Sequence, residues 1–586
     1  MSIGDGSIAA PEPWLEIVEG DSPLLLIAPH GGHAGAAARA TLHPKVNDLH
    51  TAEITRDLAA RLNATALINS AMDRNLIDCN RIPQVAERAP WMLELIADHL
   101  ARIVDRCGRA TVMLIHGWNI IEPRIDFGLG VRRHGEELRP VGSAHVSASD
   151  EFIQGPLSSL ADKLRGVGIT PTYGMRYPAG GVHNLVQAFT ERHRESEISS
   201  LGKISAIASE GIVDTVQFEL SVSVRLPGPL RDLCIDAISE TFSPEPRNTA
   251  AIDTGISVVR TPRPAARPAP IAAPTRVGIE FYDPAARVGA MASFDLGTPG
   301  FGARIMMIVG ERRVILCTCE GSTRREPGRL SLGPLSLGVV GEKLVLAYAG
   351  PAVVVPDGST YLSIERALAT GILDPDARLR LEVPLASSDF DPSVLFAEKP
   401  QDSAVRNATP LFATARGEAT LEGRDYSLKA SSRTGVSFTG LGSQRFSERR
   451  MLWALFDGDT ATPQALELRD IDSDDGVDLR TARLLKRGQW LSLSLDDLVI
   501  ETSAPESLPG RVDAVASSAS GGSVRLSGQP VAFVPLSRPG PNGSRIYTSL
   551  GFGIFQAGTH SACGMFEYSR RVVASSGSDQ DNDTDD

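Results

Sequence analysis

The chain is short of aromatic residues, of cysteine, of positive charge and of long apolar runs, and each shortage removes a class of function. Aromatics make up 5% of its 586 residues, too few for a surface on which nucleobases stack. Lys and Arg number 58 against 71 Asp and Glu, a formal charge of -13, which disfavours nucleic acid or anionic membrane as a partner. The six cysteines (Cys79, Cys107, Cys234, Cys317, Cys319 and Cys563) form no C-x-x-C pair, so a thiolate metal site is not expected. Scattered thiols, behind an N-terminus MSIGDGSIAAPEPW with no basic start or apolar core, suggest a reducing compartment. No run approaches the roughly 18 apolar residues of a membrane span. The expectation is a soluble, cytoplasmic protein.

What is present is ordinary in bulk, with 42% hydrophobic and 22% charged residues, but uneven along the chain. At this length one core does not suffice, and two or three domains are expected. Ten of the eleven histidines precede residue 200, so metal or acid–base chemistry is expected in the N-terminal part. From 242 to 275 the sequence runs FSPEPRN to RTPRPAARPAPIAAPT, a proline density that neither a helix nor a central strand tolerates, which marks a linker. The polar, acidic residues 575–586 read as a disordered tail.

Residues 1–241 alternate in an α/β manner. Leu24–Ile27, Ala66–Ile68 and Val112–Ile115 are short apolar runs expected as buried strands. Helical periodicity covers 49–62 and 91–105, so a mixed, mainly parallel sheet with helices on both faces is predicted. After the linker, segments such as ARIMMIVG, RVILCTCEG, KLVLAYAG and SVRLSGQPVAFVPL are β-rich and separated by turn residues. They predict an all-β half of two barrel-like units, 276–420 and 421–574. Cys317 and Cys319 share one side of a strand and read as small core residues.

Three apolar strands of the N-terminal part end in reactive residues: His30 after LLLIAP, His116 after VMLI, and Glu219 in TVQFELS. Sites in open α/β sheets form beyond the carboxyl ends of parallel strands, so the three are expected to converge. Asp48, in HPKVNDLHTAEI, stands at a helix start. Two imidazoles and a carboxylate suit a hydrolytic zinc site with one position left for water, and Glu219 suits the proton transfer to the leaving amine. Plainer readings exist for each. Asp48 is also placed like a helix N-cap, a histidine after a strand is often a loop residue, and Glu219 could be satisfied by Arg225. In DRNLIDCNRI, Arg74, Asn80 and Arg81 offer a guanidinium fork and an amide for a substrate's carboxylate; alternatively Asp78 holds Arg74 or Arg81.

Taken in order, PHGG, an Asp opening a helix, R-x-x-x-D-x-N-R, a strand ending in HG and Q-x-E-L-S resemble the N-formylglutamate amidohydrolase family over about residues 20–230. The resemblance implies a zinc carboxypeptidase-like fold, His30, Asp48 and His116 as zinc ligands, and Glu219 as general acid/base. It further implies Arg74, Asn80 and Arg81 as substrate contacts, with His183 of YPAGGVHNLVQAF beside them. Zinc carboxypeptidases place a Glu three residues after the first ligand His, where this chain has His33, so His33 and His50 stay open as rivals to Asp48. In the second half, IEFYDPAARVGAMASFDLG and FTGLGSQRFSERRMLWALFDGD are similar to the double lipocalin-like domains of the tocopherol cyclase and hydroxyneurosporene synthase group. The Asp and His–Trp of that group are missing near Ser443–Ser447, so a structural role or the binding of an apolar ligand is expected there rather than catalysis. The expected activity is zinc-dependent hydrolysis of an amide in an N-acyl amino acid or small peptide bearing a carboxylate. A peptidase or esterase on the same scaffold, or a non-catalytic two-module binding protein, are the alternatives.

Overall fold

The computed structural model describes residues 13–35, 45–243, 257–258, 275–296, 302–321, 323–385, 390–396, 410–438, 446–457, 464–473, 479–487, 489–503, 508–540 and 544–572. The acidic tail and, beyond its two ends and residues 257–258, the proline-rich linker lie outside them. The chain forms two compact units, Met1–Ala269 and Pro270–Asp586.

The first unit is α/β, as its alternating pattern predicts. Its strands are β1 (Leu15–Val18), β2 (Leu24–Ala28), β3 (Thr65–Asn69), β4 (Ala110–Trp118), β5 (Arg124–Gly128), β6 (Val131–His134), β7 (Glu137–Pro140), β8 (Thr170–Tyr173) and β9 (Val213–Ser221). Seven make one sheet in the order β1-β3-β2-β4-β9-β5-β8, while β6 and β7 form a hairpin to which Ser257–Val258, within the expected linker, adds a short parallel strand beside β7. β3, β2, β4 and β9 run parallel, whereas β1 is antiparallel to β3 and β5 to β9. The period of two explains the burial. Leu24 and Leu26 join one core with the helices Thr51–Leu62 and Pro229–Phe242, and Leu25 and Ile27 join another with the helix Pro90–Cys107. Strands buried on both faces require the continuous apolar runs seen in the sequence.

The second unit is all β, with two closed antiparallel barrels of eight strands each. The first runs from Thr275–Asp283 to Arg424–Phe438 and closes where Arg313–Cys319 pairs with the end of Lys343–Val355. Cys317 and Cys319 are buried. The second spans Phe446–Phe456 to His560–Val572, and those two strands pair to close it. The division expected at 420 therefore falls in the wrong place. Leu411–Leu421 and Arg424–Phe438 are one hairpin, and the latter also pairs with Thr275–Asp283, so the first barrel extends to Phe438. The turn residues near 422 mark a hairpin inside a barrel, and a turn looks the same in sequence whether it joins strands or domains. Among the described residues no helix is long and apolar enough to cross a membrane.

Candidate metal centre

Parallel register brings the reactive strand ends to one edge of the sheet. His116 on β4 is the direct neighbour of Glu219 on β9, and Glu219 is in turn the neighbour of Asp126 on β5. His30 stands just past the end of β2, which pairs with β4. Its loop turns against residues 69–72, and a Cβ at Gly32 would stand 1.9 Å from the carbonyl oxygen of Met72. Only glycine permits that approach. The Asp48 N–H donates to the His30 carbonyl at 2.8 Å, which ties the next segment to the site.

His30, Asp48 and His116 form a buried group whose ligand atoms lie within 4.8 Å of one another, a set able to hold a metal ion. The Nδ1 atoms of His30 and His116 each stand 3.2 Å from Oδ2 of Asp48. His30 Nε2 contacts Asp78 Oδ1 at 2.6 Å. Arg74 reaches Asp48 Oδ1 at 3.3 Å and Asp78 Oδ2 at 3.6 Å. The Asp78 partnership with Arg74 that the sequence left open is thus present, and Asp78 also engages His30, which spacing alone did not reveal.

Burial and charge set the protonation states. Burial, reinforced by the charges of His30 and Arg74 and opposed by Asp48, pulls His116 down to about 4, so its imidazole is neutral. Its Nε2 is buried with no partner. Burial alone would raise Asp48, but hydrogen bonds with His116 and His30 and the charges of His30 and Arg74 outweigh it and hold the carboxyl well below its ordinary value. Glu219 goes the other way: burial, then repulsion by Asp48, raise it well above the carboxylate range. Two carboxyls in one pocket with opposite shifts are the pattern of a ligand beside a proton carrier.

The remaining expected residues are placed as follows. Asp48 is not the N-cap of the helix Thr51–Leu62; His50 holds that position with a φ of 67°, leaving the Asp48 carboxylate free to face the histidines. His50 lies 4.0 Å from Glu53 and His33 is exposed, and neither belongs to the histidine–aspartate group. Arg225 does not satisfy Glu219. Its guanidinium donates to the carbonyls of Leu49, Trp118 and Leu220 and to Asn119, and Gly117 leaves room for it, since a Cβ there would come within 2.6 Å. Asn80 is buried with Oδ1 unpartnered. Arg81 is half-buried, and His183 is exposed on the glycine-rich segment while its carbonyl accepts from Ile82.

Two residues that hold the site went unassigned in the sequence. Gln217, two positions before Glu219 and so on the same face of β9, donates to Glu219 Oε1 at 2.6 Å. Q-x-E at strand spacing was the available signal. Asp126, fully buried, accepts from the N–H groups of Met175, Arg176 and Tyr177 and from Thr172 Oγ1. It anchors a loop whose Tyr177 ring meets Trp118, two residues past His116, edge-on at 5.9 Å. No local signal announced Asp126, because its role depends on a loop some fifty residues away.

No protein-family profile matches the chain, and no curated protein does. Solved structures give slight similarity. An AttH-type protein from Nitrosomonas europaea is 11% identical, covering 51% of this chain and 91% of its own, with a TM-score of 0.29. Kievitone hydratase from Nectria haematococca is 11% identical over 51% of this chain and 89% of its own, with a TM-score of 0.29. N-formylglutamate amidohydrolase from Ralstonia eutropha JMP134 is 12% identical over 39% of this chain and 95% of its own, with a TM-score of 0.26. These similarities are too slight to transfer the role of any residue.

Proposed function

We propose that the N-terminal unit is a zinc-dependent hydrolase of amide bonds in small N-acyl amino acids or short peptides. The observation that carries this reading is the buried His30–Asp48–His116 group beside Glu219. Donor atoms about 2.0–2.1 Å from a tetrahedral zinc stand about 3.4 Å apart, and the two 3.2 Å contacts at Asp48 Oδ2 suit that spacing. Asp48 and Asp78 share the Arg74 guanidinium, and Lys45, half exposed, stands 3.4 Å from Asp78. A zinc ion held there supplies Lewis acidity toward an amide carbonyl and toward the attacking water.

The chain's own groups do the rest. Asp78, accepting from His30 Nε2, orients the ring so that Nδ1 faces the centre. Glu219, held at Oε1 by Gln217, presents its other oxygen to take a proton from water and return it to the leaving nitrogen. Arg81, three residues beyond Asp78 and with no ion-pair or hydrogen-bond partner for its side chain among the described residues, offers a fork for the substrate's carboxylate. Asn80 Oδ1 offers an unmet acceptor for a substrate N–H.

Metal analysis of the purified chain is expected to find about one zinc per protein, absent from folded His30→Ala and His116→Ala. Glu219→Gln keeps the zinc and loses about 100-fold or more of the turnover of N-formylglutamate or another N-acyl amino acid. A folded wild type that takes up no zinc when it is supplied refutes the reading.

A further inference from the structure

Far from the metal centre in sequence, the two barrels of the second unit meet across a face with an unbalanced charge. The outer face of Phe446–Phe456 is turned toward the first barrel, since Trp453 Nε1 donates to Glu280 at 2.7 Å. Beside this contact Tyr282 stacks on Phe552 at 5.2 Å. Four residues before Glu280 on the same face stands Arg276, and four before Trp453 stands Arg449. Arg276 pairs with Asp295 at 2.6 Å, and Arg449 with Glu567 at 2.8 Å. That uses both carboxylates.

Two more arginines share the place. Arg304, a direct neighbour of Ser293 across the ladder, donates to its Oγ at 3.3 Å; Arg538 projects from the second barrel. Neither has a carboxylate within ion-pair reach among the described residues. Partial enclosure first, and then the like charges of Arg276 and Arg538, lower Arg304. Enclosure and the charges of Arg449 and Arg276 do the same to Arg538. Both side chains are exposed where the strands Ala303–Val309 and Ser523–Pro539 of the two barrels meet, so a solute can reach them. In a chain with a net charge of -13, four guanidinium groups against Asp295 and Glu567, with Glu280 paired to Arg433, are a local inversion. Guanidinium forks match oxyanions in geometry as well as charge.

We propose that this arginine cluster, Arg276, Arg304, Arg449 and Arg538, binds a small molecule bearing a multivalent oxyanion, either a phosphate ester or a polycarboxylate. Arg304 and Arg538 supply the unpaired charge, and Arg276 and Arg449, already tied to carboxylates, flank them.

Calorimetric titration of the full chain at constant ionic strength, with inorganic pyrophosphate in one arm and citrate in the other, tests this. Saturable binding is expected with at least one anion, weakened about tenfold by Arg304→Gln or Arg538→Gln and abolished in the double variant. Arg511→Gln, at an exposed arginine paired with Asp513, leaves it unchanged. Pyrophosphate alone identifies a phosphorylated ligand, and citrate alone a polycarboxylate. Thermal melting keeps folding separate. Without anion the double variant melts no lower than the wild type, because like charges have been removed, and it lacks the anion-dependent rise of the wild type. Heat common to wild type and double variant arises elsewhere. If no component is specific to the wild type with either anion, the proposal is overturned.

Discussion

At the residue scale the candidate centre rests on a contrast between groups of like kind. Asp48 and Glu219 are both buried carboxyls, yet hydrogen bonds with two histidines draw one well below the ordinary carboxylate range while burial and the charge of Asp48 push the other well above it. His116, pulled down to about 4, has a measurable consequence in chelator-treated protein. Its folded value lies below its unfolded value of about 6.5, so the unfolded chain binds the extra proton. Stability is then complete above about 6.5 and falls as pH drops through the window to about 4, by about 3 kcal/mol at most. Denaturation midpoints measured across that window should decline for the wild type and flatten for His116→Gln. An equal decline in both would assign the loss to other groups.

At the scale of elements, the two-residue period of strands does most of the positioning. Because β4 and β9 are parallel and in register, His116 and Glu219 must emerge side by side. Asp126 extends the row and anchors Met175–Tyr177 through three backbone N–H groups. Asp126→Ala leaves those donors unmet, each at a cost of about 1–3 kcal/mol. Hydrogen exchange across residues 170–180 should accelerate clearly, with Asp126→Asn intermediate, while β2 and β4 stay protected. Unchanged exchange would mean that the loop is held by its other contacts. The strands and helices of this unit were legible because long apolar runs and helical periodicity are local signals. The barrel boundary was not: whether Arg424–Phe438 belongs to the first or the second barrel depends on its pairing with Thr275–Asp283, about 150 residues earlier.

At the scale of the whole molecule the two proposals fall on different units. A protease recognition sequence placed within 259–274, cleaved after purification, is expected to leave zinc with the N-terminal fragment and anion binding with the C-terminal one, each read after separating the fragments. Zinc recovered with the C-terminal fragment would contradict the assignment of the centre. Class, order and number of the domains were readable from composition and periodicity, since burial pattern is a property of neighbouring residues. So were the residue types of the centre, because His30, His116 and Glu219 each close an apolar strand. Folding alone could decide that Asp48, rather than His33 or His50, faces both histidines, that Asp78 holds His30, and that arginines of two barrels come near one another. Those outcomes depend on distances between residues remote in the chain, which strand register and barrel closure set and which no local pattern records.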